Sequence, residues 1–161
     1  KEIPNIELVE ITNSHFSKNS NDLINKEIKE KMEFGTLIHY MLEIIDFKNP
    51  DLSKLNNNDK YIVTRFLKMD FLDLNRAIKF YKEYEFVYNN KNNYQHGVID
   101  LIVEYDDSIS IIDYKLKNIT DKDYIRQLKF YKDYVSLKTN KKIEVFLFSI
   151  VDSNLKQINF D

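Results

Sequence analysis

Apolar residues between positions 34 and 47 recur at helical spacing. Leu37, Ile38, Met41, Leu42, Ile44 and Ile45 make one broad face and predict a helix over Phe34–Phe47. Asn49, Pro50 and Asp51 end it. Upstream, Asn21 and Asp22 can cap a shorter lead-in helix running to about Met32, with Leu23, Ile24 and Ile28 on one side. Asp59–Tyr84 reads as a second helical region, with Ile62, Phe66, Leu67, Phe71, Leu74, Ile78 and Tyr81 as core candidates. The period changes after Tyr84. Glu85–Asn89 predicts a short strand, Asn89–Asn93 a loop, and Gly97–Tyr105 and Ser108–Lys115 two strands turned at Asp106–Asp107. Thr120 is placed to cap a helix with Asp121 and Asp123 in its first turn, where the helix dipole favours acids, and this helix runs to about Leu137. Ile143–Val151 predicts another strand and Leu155–Phe160 an edge strand. The order predicts an α/β domain, a central mixed β-sheet flanked by helices.

Composition narrows this picture in a few places. At 161 residues the chain fits one domain, and its 43% hydrophobic and 31% charged shares are ordinary for a globular protein. No apolar run approaches the roughly 20 residues of a membrane span. The absence of cysteine excludes disulfides, thiolate zinc sites, iron–sulfur clusters and Cys nucleophiles, and it is compatible with a cytoplasmic location. A net charge of −2 gives no global basic field, which argues against a passive DNA-coating module. It does not exclude a nuclease, whose acids hold metal and whose basic residues need only be local. The chain opens at Lys1 without an initiator Met or a signal-peptide pattern, so a fragment of a longer protein is expected, with residues 1–32 as a connector or lead-in helix and 33–161 as the domain proper.

The chemistry concentrates on the hairpin. Asp113 and Lys115 are two apart on a strand and share a face. With Asp106 and Asp107 as the turn, Tyr105 faces Ser108 and, counting back, Asp100 lies opposite Asp113. A slip of one residue would break that convergence. Two carboxylates this close, flanked by Ile99, Leu101, Ile111 and Ile112, repel, and a divalent cation such as Mg²⁺ or Mn²⁺ removes the conflict. The alternative is a solvated pair of acids bridged by Lys115. His39 lies just off the apolar stripe of its helix and is either a ligand or a structural residue paired with Glu43. The chain's two glycines, Gly35 and Gly97, stand four residues before His39 and three before Asp100, where either close backbone approach or simple relief of crowding explains them. Gln127 and Tyr131 share a helix face, beside a basic stripe of Lys122, Arg126 and Lys129 that either meets phosphates or faces solvent.

The series Gly35-x-x-x-His39, Gly97-x-x-Asp100, Asp113-Tyr114-Lys115 and Gln127-x-x-x-Tyr131 resembles the PD-(D/E)xK nuclease superfamily, whose core is restriction-endonuclease-like. More narrowly it resembles the RecB-like nuclease domain at the C-terminus of AddA and RecB helicase–nucleases, over roughly residues 33–136. Glu85-Phe86 resembles a Glu-x-Phe stretch there, without its usual proline. The resemblance implies a Mg²⁺-dependent exonuclease, with Mn²⁺ as a possible substitute, that hydrolyses DNA in double-strand-break repair and recombination. It implies His39, Asp100 and Asp113 as metal ligands, joined by the backbone carbonyl of Tyr114, and Lys115 as the group that orients water and stabilises charge on the phosphate. It implies Gln127 and Tyr131 as supporting and DNA-contacting residues beside Arg126, and Glu85 as a secondary or second-metal residue. Implied partners are DNA ends or single strands, a helicase motor N-terminal in the same polypeptide and a second subunit. Related nucleases that hold an iron–sulfur cluster need cysteines this chain lacks. Two alternatives stand beside this one: a stand-alone phage or restriction nuclease, and a non-catalytic DNA-binding module on the same fold.

Overall fold

The structure, a computed structural model, describes residues 26–116 and 122–160, with side chains from Glu33 onward except Asn90. The first helix, α1, covers Lys26–Ile44. The described part of the expected lead-in helix is therefore continuous with it, while Asn21–Ile24, Thr120 and Asp121 lie outside the described residues. Ile38, Leu42 and Ile45, spaced at one face, are buried. The second helix, α2, covers Asn57–Leu67; the Asn56 side chain caps it by accepting the backbone N–H of Asp59 at 2.8 Å. It buries Ile62, Val63 and Phe66.

The expected helical region Asp59–Tyr84 is corrected beyond Leu67. The chain leaves α2 through a tight turn, with Lys68 N–H bonded to Arg65 O at 3.2 Å, and Lys79–Asn90 forms strand β1. Local spacing kept a helical period through Tyr84, but pairing with the next strand decides the conformation. Ile78, a core candidate under the helical reading, is 59% exposed.

The remaining elements follow as β2 (Asn93–Glu104), β3 (Ser108–Lys115), α3 (Lys122–Ser136), β4 (Lys142–Ser149) and β5 (Asn154–Ile158). They build one five-stranded mixed sheet in the order β1-β2-β3-β4-β5. Lys91 and Asn92, with φ of 48° and 72°, form the two-residue turn between β1 and β2, the left-handed pair that matches hairpin twist. Neighbouring strands are antiparallel except β3 and β4, which run parallel and are joined by α3. The strand face carrying Leu101, Val103, Ile112 and Phe148 packs on α1 and α2. The opposite face, with Ile99, Ile102, Ile111 and Leu147, packs on Leu128, Tyr131 and Val135 of α3.

One rung departs from this regularity. The β1–β2 register runs from Lys79↔Glu104 to Asn90↔Asn93, but Glu83 and Asp100 do not pair across it. Glu83 has φ of 50°, in the left-handed region that non-glycine residues seldom adopt. Tyr81 and Tyr84, three apart, both pack on the α3 side, and Ile99 and Ile102 do the same. Both strands thus lose a step of alternation at one rung. Distortions of this kind re-aim side chains and concentrate at functional sites.

Candidate metal centre

The distorted rung is where the acids gather. His39, on the sheet-facing side of α1, places Nε2 2.9 Å from Asp100 Oδ1 and Nδ1 3.3 Å from Glu83 Oε1. His39, Glu83 and Asp100 are each more than nine-tenths buried, and their candidate ligand atoms all lie within 4.8 Å of one another. The Tyr114 ring packs edge-on to the imidazole at 5.3 Å and fixes its plane.

The hairpin register brings in the rest. Tyr105 N–H donates to Ser108 O at 2.8 Å, and the ladder runs to Leu101↔Ile112, so its next step sets Asp100 opposite Asp113. Past that point the Asp100 side chain stands in for the backbone ladder: its Oδ2 accepts Tyr114 N–H at 2.7 Å. Lys115 Nζ lies 3.0 Å from Asp113 Oδ2 and donates to Gln127 Oε1 at 3.1 Å. Its backbone carbonyl accepts from Ile150 N–H at 2.8 Å, tying the end of β3 to β4. A cavity of about 320 Å³ opens onto this cluster; Gly35, His39, Asp100, Asp113, Lys115 and Gln127 are among its lining residues. A wider groove of about 1010 Å³ between α2 and β5 lies apart from the cluster.

Burial and like charge set the protonation states. Burial alone would lower the His39 pKa, but the Asp100 carboxylate, then Glu83, outweigh it and hold it at about 9. Burial pushes Asp100 up, yet His39, Asp113 and the Tyr114 N–H outweigh that and hold it at about 2. Asp113 moves the other way: burial first, then the neighbouring Asp100 charge, raise it well above the carboxylate range, against the pull of Lys115. Lys115 is held above the ordinary lysine value because Asp113 and Asp100 overcome its burial. The neighbouring carboxylates thus favour the protonated form of His39, and burial with like charge favours that of Asp113.

This donor set fits a divalent cation. Carboxylates and one imidazole converge in a buried pocket, and the protons they hold in its absence are those a cation displaces. Candidate ligands are His39, Glu83 and Asp100, whose donor atoms converge, with Asp113 beside Asp100.

Of the residues singled out from sequence, His39, Asp100, Asp113, Tyr114, Lys115, Gln127 and Tyr131 all line the one cavity. Tyr131 is buried. Glu85 and Arg126 are not among the residues lining that cavity. Glu85 pairs with the exposed His96. Arg126 is exposed and sits 3.6 Å from Asp123 on the outer face of α3. Glu83 was missed. Its signal was the register: with a Lys91–Asn92 turn, residue 83 falls opposite Asp100, but the helical reading through Tyr84 concealed that pairing.

Gly35 and Gly97 serve close approach. A Cβ on Gly35 would lie 2.7 Å from Leu116 Cδ1, and one on Gly97 2.5 Å from the Phe86 ring. No protein-family model matches the chain, and no curated protein is similar to it.

Proposed function

We propose that this chain is a metal-dependent deoxyribonuclease domain that hydrolyses DNA phosphodiester bonds as an exonuclease. We place it in a helicase–nuclease acting on double-strand breaks, with a motor in the same polypeptide and a second subunit as partners. The observation that carries the reading is the buried convergence of His39, Glu83 and Asp100, with His39 and Asp100 lining one cavity together with Asp113 and Lys115. Three acids crowd onto two bases there: His39 serves both Glu83 and Asp100, Lys115 serves Asp113, and burial with the Asp100 charge raises the Asp113 pKa.

Mg²⁺ or Mn²⁺ held by His39, Asp100, Asp113 and the Tyr114 carbonyl, with Glu83 adjoining, would supply Lewis acidity at the phosphoryl group and lower the pKa of water. The chain's own groups complete the chemistry. Lys115, kept charged by Asp113 and Asp100, orients the attacking water and offsets charge that builds on the phosphoryl oxygens. Gln127 holds the Lys115 ammonium in place through its side-chain oxygen. His39, clasped between two carboxylates, fixes the orientation of Asp100. Tyr131 adds a buried aromatic wall to the cavity.

The test is degradation of end-labelled single- and double-stranded DNA with Mg²⁺, with Mn²⁺ and with EDTA. Cutting is expected only with metal, and Lys115→Ala is expected to lower the rate on the order of 10² to 10³-fold. Metal-independent cutting, or full activity in Lys115→Ala, would sink the reading.

A further inference from the structure

We propose that Tyr124 is a positioning residue of this site, its ring holding the Lys115 ammonium by a cation–π contact. The proposal rests on the hydrolytic role given to Lys115 above. Tyr124 continues a stripe on α3: Tyr124, Leu128, Tyr131 and Val135 lie at helical spacing on one face. The last three are buried in the core. Tyr124 lies a turn further out, is half-buried, and lines the cavity. It packs on the edge of that core and also meets Lys115, whose Nζ lies 4.5 Å from the ring centroid. That is well inside the roughly 6 Å over which a ring face attracts a cation.

The ammonium thus has three partners of different chemistry: the Asp113 carboxylate, the Gln127 amide oxygen and the Tyr124 ring. Asp113 is also a candidate cation ligand, and Gln127 is neutral. The ring, like Gln127, neither competes for the proton nor serves a cation, and it alone offers a face rather than a single acceptor atom. A lysine has four rotatable side-chain bonds, and holding its head group in place conserves the orientation on which the rate depends. The contact uses the ring face, which phenylalanine would keep.

The experiment compares Tyr124→Phe, Tyr124→Leu and a series with progressively fluorinated phenylalanine at position 124, with Lys115→Ala alongside. DNA cleavage gives kcat and KM, and NMR of the metal-free protein gives the ring-current shift of the Lys115 Cε protons. Tyr124→Phe should keep both kcat and the shift. Tyr124→Leu should lose the shift and lower kcat roughly tenfold at unchanged KM. Fluorination, which drains the ring face without changing its packing, should lower kcat stepwise. Loss of cutting in Lys115→Ala with equal kcat across all position-124 variants would overturn the role of Tyr124 and leave hydrolysis standing. Unimpaired cutting in Lys115→Ala would overturn both. Absence of the ring-current shift in the unmodified protein would overturn the contact whatever the activities.

Discussion

Glu83 and Glu85 stand two apart on β1, and the structure separates their roles. Glu83 occupies a left-handed backbone conformation and lies 3.3 Å from His39, inside the buried cluster. Glu85 reaches the exposed His96. A non-glycine residue at positive φ costs of order 1–3 kcal/mol and persists only where its surroundings enforce it. Here the enforcement delivers a carboxylate to His39 and Asp100. If that placement serves a cation, Glu83→Gln should weaken Mn²⁺ binding by roughly tenfold or more, and Glu85→Gln should leave it unchanged. Calorimetric titration of Mn²⁺ into both variants decides this, and equal affinities would remove Glu83 from the ligand set.

At the scale of elements, the long β1–β2 hairpin carries one acid of the cluster on each strand, and Gly97 keeps the two strands in close contact. The Phe86 ring lies across Gly97 where a side chain would stand and stacks on Tyr134 of α3 at 4.0 Å. A methyl group at Gly97 would push on Phe86 and, at 3.1 Å, on Phe130, so one change disturbs both the hairpin and its packing on α3. Gly97→Ala should cost about 1–3 kcal/mol, read by denaturant midpoint. Gly35→Ala should cost less, because the atom it meets is the end of the Leu116 side chain. The same hairpin shows what the sequence could and could not tell. β3, α3 and β4 were legible because acidic turns and a change of apolar period punctuate them. The pairing of Tyr105 with Ser108 followed from the Asp106–Asp107 turn, and with it the opposition of Asp100 and Asp113. Residues 68–84 hold no glycine or proline. Their apolar residues fit a helix as well as a strand, so the true span of β1 became visible only through its pairing. The left-handed φ at Glu83 has no local cause in an Lys-Glu-Tyr sequence. It follows from the meeting of α1 with two strands, which no single segment encodes.

For the whole molecule the cluster links stability to pH, and a bound cation should reverse the link. His39 has a folded pKa of about 9 against an ordinary 6.5. A raised base contributes stability that is fully present below 6.5 and is lost as pH climbs through 9. Asp113, also raised, is protonated in the folded protein where the unfolded chain has already released its proton, so it too makes the fold weaker as pH rises. Lys82 works in the opposite sense. Burial lowers it from 10.5 to about 8, so its penalty is relieved only between those values. Asp100, held near 2, matters only in acid. The window free of opposing groups is therefore pH 6.5–8. Across it, the metal-free protein should lose stability steadily in denaturant titrations, and His39→Gln should flatten that slope. Saturating Mn²⁺ should turn the slope upward, since binding demands the neutral imidazole and ionised carboxylates that higher pH supplies. A slope that is flat without metal, or that stays downward with it, would mean that His39 and Asp113 do not carry the protons assigned to them. A reversal on adding Mn²⁺, absent in His39→Gln, would tie cation, proton and fold to the same buried cluster.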